Sequence, residues 1–299
     1  MFKRLIRKIM PNPFKRQLAV ARNKGQKSFL ILWNRGMGDI ALGLYGLCSR
    51  IRDYIPDAKI TFITRPDLEQ PMKLLNDVEV IVDPAMIRGE CYIIDQRLDQ
   101  SQYDIIILKP DPTYWLSDQL GKIVPKLEWN FALDQLEREE KTVCVGMHVS
   151  TETGQFYGYD KNWPKVKWKE LIGKLTQELG VEVILFGLKS DNDFDMCNVT
   201  DLRGELSLIE TLSVIKNRCT HLVAPDSGIL SLIYFIDANF PLKIISLWSD
   251  PKQGVLKAGV KSPNRLLEHI PLVFEDLKEL SVNEVLDHIE PALDPALVN

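Results

Sequence analysis

The stretch Phe29-Leu-Ile-Leu-Trp-Asn-Arg-Gly-Met-Gly-Asp-Ile-Ala-Leu42 combines a strand, a turn and the start of a helix. Its apolar beginning, Phe29–Trp33, predicts a buried strand. Gly36 and Gly38 allow a sharp turn and leave the backbone bare toward a ligand. Asp39 lies at the mouth of the following helix. Its carboxylate can cap that helix or take a proton from a substrate hydroxyl, and the local sequence leaves both roles open.

On both sides of this stretch, short apolar runs alternate with amphipathic helical segments. Strands are predicted at 28–34, 58–64, 78–82 and 103–108, and again at 142–148, 181–186, 221–224 and 242–248. Such alternation is typical of parallel sheets that are covered by helices on both faces. We therefore predict an α/β protein with two Rossmann-like domains in succession. Their ligands are expected in a central cleft, outside the carboxyl ends of the strands.

Charge and pattern place the domain boundaries. Residues 1–27 contain nine of the 37 Lys and Arg residues and no Asp or Glu, which predicts a basic amphipathic N-terminal arm. The first domain is predicted at 28–140. The second is predicted at 141–299, after the charged run Glu137–Lys141, and whether its final helix crosses back to the first domain is left open.

The arm also bears on partners and localisation. A basic amphipathic segment suits an anionic membrane surface, where each basic residue adds roughly 1 kcal/mol. The alternatives are an unstructured basic tail and a helix packed on the body. The chain shows no secretion signal, no long apolar span and five scattered cysteines, so we predict a cytoplasmic protein that can be peripheral on the inner face of the plasma membrane. No nucleic-acid partner is expected, since the rest of the chain is acidic.

The glycine turn has a second interpretation. Gly36-Met-Gly38-Asp-Ile-Ala41 matches the dinucleotide fingerprint between a strand and a helix. However, Asp39 puts a negative charge where the pyrophosphate would bind, and the end of the second strand lacks the expected ribose carboxylate. An NADP-dependent oxidoreductase that uses Arg65 for the 2′-phosphate stays as an alternative function.

The second half of the chain contains two candidate anion sites. Asp226-Ser-Gly228 lies between a strand and an apolar helix, so its backbone N–H groups can receive a diphosphate. The same residues also suit a simple helix cap. Lys161 ends a long polar loop and can reach a phosphate as a point charge, or else remain solvated. The four histidines and five cysteines show no metal-ligand spacing, so we expect no metal site.

The order of the motifs is more informative than any one of them. The series consists of the turn ending in Gly38-Asp39, Tyr54-Ile-Pro-Asp-Ala-Lys-Ile-Thr61, Val145-Gly-Met-His148, Asp160-Lys-Asn-Trp-Pro164, Trp168-Lys-Glu-Leu171, Ile184-Leu-Phe-Gly187, Leu202-Arg-Gly-Glu-Leu-Ser-Leu208, Ala224-Pro-Asp-Ser-Gly228 and Ile245-Ser-Leu-Trp248. Together these motifs resemble glycosyltransferase family 9, the ADP-heptose:lipopolysaccharide heptosyltransferases. The resemblance implies the GT-B fold and an enzyme that needs neither a metal nor another cofactor.

The resemblance also implies the reaction and the site. An inverting transferase would move a heptose from a nucleotide-diphosphate donor, expected to be ADP-linked, to a lipopolysaccharide-core or related glycan acceptor, which can be lipid-linked. Asp39 would be the catalytic base, and Gly36 and Gly38 would face the acceptor. The donor-binding residues would be Lys161 at the diphosphate, Ser150 and Thr151 near the phosphates, Gly187 beside the nucleoside, Asp191 at the ribose, and Asp226, Ser227 and Gly228 lining the donor.

One departure from the family pattern keeps another function open. Where the family usually has a histidine, three residues after the glycine of the Asp-Ser-Gly motif, this chain has Ser231. A non-catalytic relative that binds a sugar nucleotide is therefore a further alternative.

Overall fold

The computed structural model describes residues 13–94, 98–110, 123–129, 143–151, 160–188, 194–249 and 259–289, together with Gly254 and Leu256. The chain divides into two compact units, Met1–Ile123 and Val124–Asn299. The boundary predicted from the sequence lies after residue 140, and the charged run on which that prediction rested lies outside the described residues.

Unit 1 is built on a parallel sheet. Its strands are β1 (Ser28–Trp33), β2 (Lys59–Thr64), β3 (Val78–Val82) and β4 (Ile105–Ile107), in the order β3-β2-β1-β4. β1 pairs in parallel with β2 on one side and with β4 on the other. The order of strands therefore reverses between β1 and β4, which is where sheets of this class form a ligand crevice at the carboxyl ends.

The helical segments of unit 1 are short. They are α1 (Pro13–Asn23), a π-helical turn (Ile40–Leu44), α2 (Tyr45–Tyr54), a 3₁₀ turn (Pro66–Leu68), α3 (Glu69–Met72) and a second 3₁₀ turn (Gln100–Gln102). The helix predicted from Asp39 is thus present, but the π-helical turn interrupts its start. Such turns occur frequently at functional sites.

Helix α1 shows what part of the basic arm does. Phe14, Leu18 and Ala21 are buried, and the helix packs against α2. The Arg22 guanidinium lies 5.9 Å from the centre of the Tyr54 ring. Residues 13–23 therefore form a helix on the body of unit 1. Residues 1–12 lie outside the described part of the chain.

Unit 2 is built on a larger parallel sheet. Its strands are β5 (Cys144–His148), β6 (Glu182–Phe186), β7 (Val199–Asp201), β8 (His221–Pro225), β9 (Leu242–Trp248) and β10 (Leu267–Val273), in the order β10-β9-β8-β5-β6-β7. The sequence analysis did not predict β7 and β10, the two edge strands. Pro271 lies within β10, and an edge strand tolerates a proline that donates no hydrogen bond.

Helices cover this second sheet. They are α4 (Lys165–Gly173), a π-helical turn (Lys174–Glu178), α5 (Leu208–Arg218), α6 (Gly228–Tyr234) and α7 (Val282–Leu286). Capping boxes begin α5 and α7, at Ser207 with Glu210 and at Ser281 with Glu284. Helix α7, the last described helix, packs against α4 inside unit 2.

A pair of tryptophans anchors the segment that leads into α4. The rings of Trp163 and Trp168 meet edge to face, with centroids 5.1 Å apart, inside the apolar core of unit 2. The indole N–H of Trp163 donates to the Leu280 carbonyl at 3.1 Å. Because Trp163 is fixed at both its ring and its N–H, the residues just before it are held in place relative to the sheet.

Gly146 in the middle of β5 tests how tightly this core is packed. An added Cβ would lie 2.8 Å from Cys219 Sγ and 2.9 Å from a Phe186 ring carbon. We expect Gly146→Ala to lower the free energy of unfolding by about 1–3 kcal/mol through overpacking, read as a lower urea midpoint. The matched control is Gly173→Ala in a helix, where the nearest atom is 3.6 Å away and about 0.5–1 kcal/mol of stabilisation is expected. Equal effects of the two substitutions would contradict this account of the core.

Candidate functional site

The carboxyl edge of the unit 2 sheet gathers most of the predicted donor residues. Ser150 and Thr151 follow β5, Gly187 follows β6, and Asp226 follows β8. These three strands are neighbours in the sheet, and all run parallel. Parallel pairing therefore brings together residues that lie far apart in the sequence.

An ion pair lies at the centre of this edge. Lys161 Nζ is 2.5 Å from Asp226 Oδ2, and the lysine side chain is only 9% exposed, against 24% for the aspartate. Asp226 is itself fixed, because its N–H donates to the Leu247 carbonyl at 3.2 Å. The solvated alternative for Lys161 is therefore wrong: its charge is largely removed from water and is compensated by another predicted donor residue.

Asn162 clamps the loop after β5 to the segment that carries Lys161. Its Oδ1 accepts the Thr151 N–H at 2.7 Å, and its Nδ2 donates to the Thr151 carbonyl at 3.1 Å. A side-chain amide that satisfies both backbone groups of one residue fixes the position of that residue. The sequence analysis did not single out Asn162, although it stands next to Lys161.

His148 at the end of β5 is a second residue that the sequence analysis quoted in a motif without giving it a role. Its Nδ1 lies 3.1 Å from Ser227 Oγ, and burial lowers the pKa of His148 to about 4. Ser227 Oγ already accepts the Leu230 N–H, which caps α6. The serine therefore has its own hydrogen to donate to a neutral imidazole. This bond ties β5 to the start of α6.

Ser231 occupies the position of the family histidine. It is buried, and its hydroxyl donates to the Ser227 carbonyl at 3.2 Å within α6. A serine that bonds back to its own helix in this way is a common buried arrangement.

Gly187 and the residues around it lie at the carboxyl end of β6, on one side of the donor residues. Gly187 has φ +156°, and a Cβ there would lie 3.6 Å from Arg203 Cγ and 4.0 Å from Ser150 Oγ. The buried Arg203 guanidinium holds Asp201 through two bonds of 2.9 and 2.7 Å and lies 4.8 Å from the centre of the Phe194 ring. Gly187 and Ser150 are therefore neighbours. Asp191, the predicted ribose contact, lies outside the described residues.

In unit 1, the structure narrows the role of Asp39. Its side chain makes no hydrogen bond that caps the π-helical turn. Instead the carboxylate folds back over Gly36, where an added Cβ would lie 3.0 Å from Asp39 Oδ2. A side chain at position 36 would crowd the carboxylate, so the glycine gives it room. The π-helical turn therefore gives the helix-cap interpretation of Asp39 no support, and the role of base stays a prediction.

Arg65 holds the turn that carries Asp39. Its buried guanidinium donates to the Asn34 carbonyl at 3.1 Å and to both carboxylate oxygens of Asp67 at 2.9 and 2.8 Å. The NADP alternative needed this guanidinium for a 2′-phosphate. Since its donors are committed to the turn and to Asp67, the structure gives the oxidoreductase alternative no support.

A cavity of about 730 Å³ opens at the carboxyl ends of β1 and β4. Its walls come from the strand ends and from residues 89–94, and most of them are apolar. Arg35 and Lys109 add positive charge and Glu90 adds negative charge. Its volume is in the range of small-molecule sites. Its position matches the crevice expected where the strand order reverses.

The described residues contain no group of three or more His, Cys, Asp or Glu side chains that could hold a metal ion. None of the helices within the described ranges is long and apolar enough to cross a membrane.

Residues 113–232 match the model of glycosyltransferase family 9 (heptosyltransferase). This part of the chain is therefore similar to a family 9 glycosyltransferase domain. The match confirms the resemblance and the enzyme class that the motifs predicted. The matched range includes Lys161 and Asp226 but not Asp39, so the base assignment gains nothing from it.

Solved structures of the same fold extend over nearly the whole chain. ADP-heptose lipopolysaccharide heptosyltransferase II of E. coli has a TM-score of 0.61 at 16% identity, over 89% of this chain and 98% of that one. A family 9 glycosyl transferase of Veillonella parvula DSM 2008 has a TM-score of 0.59 at 14% identity, over 89% of this chain and 97% of that one. The E. coli heptosyltransferase WaaC with ADP has a TM-score of 0.50 at 18% identity, over 88% of this chain and 97% of that one. At such identities the likeness shows the fold alone, and it confirms the predicted GT-B class. No curated protein sequence matches the chain.

The buried imidazole of His148 predicts a dependence of stability on pH. The unfolded chain takes up a proton near pH 6.5, whereas the folded group does so only near pH 4. The stabilisation is therefore complete above pH 6.5 and is lost as the pH falls toward 4, by about 3 kcal/mol.

The measurement is the free energy of urea unfolding at several pH values between 7 and 4. His221 is buried and His269 is half-buried, and desolvation lowers the pKa of each to about 4. Stability therefore still depends on pH when His148 is replaced. We expect His148→Gln to reduce the slope of stability against pH but not abolish it, since glutamine does not titrate. Identical slopes for the two proteins would show that His148 does not fold as a neutral ring.

Proposed function

We propose that this protein is a metal-independent, inverting glycosyltransferase that moves a heptose from an ADP-linked donor to a lipopolysaccharide-core or related glycan acceptor. The observation that carries the proposal is the buried Lys161–Asp226 pair at the carboxyl edge of the unit 2 sheet, inside the range that matches family 9. Two of the structural neighbours are described as heptosyltransferases of E. coli, one of them with ADP. These descriptions support the choice of donor.

On the donor side, Lys161 supplies the positive charge. A preorganised ammonium in a partly desolvated site stabilises the charge that develops on the leaving diphosphate. Asp226 holds the lysine in place, and the clamp between Asn162 and Thr151 fixes the neighbouring loop. The donor phosphates lie near Ser150, Thr151, Ser227 and Gly228, and the nucleoside lies near Gly187 and Asp191. No metal or other cofactor takes part, because the lysine provides the charge that a cation would otherwise supply.

On the acceptor side, Asp39 is the base. Its carboxylate does not cap the π-helical turn, and the turn of Gly36 and Gly38 is held by Arg65 beside the unit 1 cavity. The acceptor hydroxyl transfers its proton to Asp39 as its oxygen attacks the anomeric carbon. The bond from that carbon to the diphosphate oxygen breaks with inversion. Arg35 and Lys109 outnumber Glu90 among the residues that line the cavity, which suits an acceptor that carries anionic groups.

Two substitutions separate the two halves of this mechanism. Asp39→Asn should lower kcat by about 10²–10⁴-fold and leave ADP affinity unchanged. Lys161→Met should weaken the binding of ADP and of ADP-heptose by about 10–100-fold, since a hydrogen bond to a charged group is worth roughly 1.5–3 kcal/mol. Transfer is measured with ADP-heptose and a core-glycan acceptor, and affinity by calorimetry.

The matched control for the base is Asp53→Asn, which changes an exposed carboxylate on α2 and should retain wild-type transfer. Near wild-type transfer by Asp39→Asn would remove the base assignment. Donor binding without any transfer by the wild type would favour the non-catalytic alternative suggested by Ser231. Thermal stabilisation by NADP but not by ADP would favour the oxidoreductase.

We further propose that residues 1–27 bring the enzyme to the cytoplasmic, anionic surface of the membrane that holds a lipid-linked acceptor. Helix α1 buries Phe14 and Leu18 against unit 1, while Arg16, Val20 and Lys24 are exposed. The helix carries no acidic residue, and basic residues near an anionic surface add to binding in proportion to their number.

Vesicle sedimentation tests this membrane contact. Arg16→Ser/Lys24→Ser should reduce the fraction bound to anionic vesicles, because each basic residue contributes about 1 kcal/mol near the lipid. The control Lys169→Ser/Lys278→Ser removes the same charge from exposed positions of unit 2 and should bind like the wild type. Wild-type protein that sediments equally with neutral and anionic vesicles would refute the membrane contact.

A further inference from the structure

A second cavity in unit 2, of about 500 Å³, is lined mainly by basic and polar side chains. Three chain segments form it: 124–126, 237–239 and 261–265. Lys126, Lys261 and Arg265 contribute positive charge, and Asp237 contributes the one carboxylate among the lining residues. We call it the basic cavity. Its local charge contrasts with the net charge of −4 of the whole chain.

The basic cavity lies at the opposite edge of the sheet from the proposed donor site. Residues 237–239 precede β9, and residues 261–265 precede β10, so both belong to the amino ends of these strands. The donor residues follow the carboxyl ends of β5, β6 and β8. A strand of seven residues such as β9 spans roughly 20 Å. The basic cavity is therefore separate from the donor site.

The loop before β10 is fixed by a buried asparagine. Asn264 is 3% exposed, its Nδ2 donates to the Phe240 carbonyl at 2.7 Å, and its Oδ1 accepts the N–H groups of Phe240 and Leu266. The Arg265 N–H donates to Asn239 Oδ1 at 3.2 Å. The backbone that carries Lys261 and Arg265 is therefore held by contacts within the protein, so binding costs little conformational entropy there.

The remaining segment of the basic cavity, 124–126, is held by hydrogen bonds between Leu127 and the residues around Asp237. The Leu127 N–H donates to the Phe235 carbonyl at 2.8 Å, and the Asp237 N–H donates to the Leu127 carbonyl at 2.9 Å. Lys126 Nζ and Asp237 Oδ2 are 3.5 Å apart, with both side chains about half exposed. Such an exposed pair contributes little free energy, so it does not prevent Lys126 from turning to an anionic ligand.

We propose that the basic cavity is a second anion-binding site, which takes the phosphate or diphosphate group of a ligand other than the sugar-nucleotide donor. An arginine provides a planar fork of donors for phosphate oxygens, and lysines on the other walls provide point charges. The volume accommodates a small phosphorylated molecule. The proposal does not rest on the proposed transferase activity, because its residues play no part in that mechanism.

Calorimetry with inorganic pyrophosphate tests the site. All proteins carry Lys161→Met, which weakens the proposed donor site, and the salt concentration is kept at a physiological value because exposed charges are screened. Lys261→Ala/Arg265→Ala should weaken pyrophosphate binding at least about tenfold. Lys169→Ala/Lys278→Ala removes the same charge from surface positions outside the cavity and should bind like its parent. All four side chains are exposed, so the variants are expected to fold.

A second arm distinguishes the sources of the phosphate group. Vesicles containing phosphatidic acid replace pyrophosphate in sedimentation with the same pair of variants. If Lys261→Ala/Arg265→Ala loses pyrophosphate binding alone, the cavity takes a soluble ligand. If this variant loses vesicle binding alone, the cavity takes a lipid headgroup. The proposal is overturned if the two double variants behave alike in both arms, because binding would then follow total charge alone.

Discussion

Parallel strand pairing is the constraint on which both units depend. Parallel neighbours cannot be joined by a tight hairpin, so each connection crosses a face of the sheet and covers it. The same geometry places the carboxyl ends of all strands at one edge. His148 and Ser227 are 79 positions apart in the sequence and yet form a hydrogen bond there. Chemistry assembled from distant segments is thus a consequence of the way the sheet is paired.

Buried polar contacts then refine what the sheet brings together. The Lys161–Asp226 pair, the clamp from Asn162 to Thr151 and the contact from His148 to Ser227 each fix one segment against another. A buried ion pair loses hydration on both sides, and apolar residues of the same volume are often at least as stabilising. Stability is therefore a weak reason for a lysine and an aspartate at this place. A site that handles a diphosphate, as in the proposed function, gives the pair a chemical reason.

The predicted strands agree with the structure where strand-forming residues are flanked by turns, and they leave out the two edge strands of unit 2. β3 (Val78–Val82) and β9 (Leu242–Trp248) have the predicted bounds, because their residues favour strands and turns flank them. β7 and β10 were missed. The side chains of β7 are only half-buried, and β10 contains Pro271, so neither shows the apolar signal of a central strand. The π-helical turn at Ile40–Leu44 also has no sequence signature that periodicity could reveal.

The sequence by itself determined the class of the fold, the resemblance to a family and the segments that carry polar residues after strands, because periodicity and the order of motifs are local properties of the chain. Only the tertiary structure decided what those residues do for one another. It placed the Asp39 carboxylate over Gly36, committed Arg65 to the turn, and paired Lys161 with Asp226. The physical reason is that a side chain's partner depends on burial and on the register of distant strands, which no local pattern encodes.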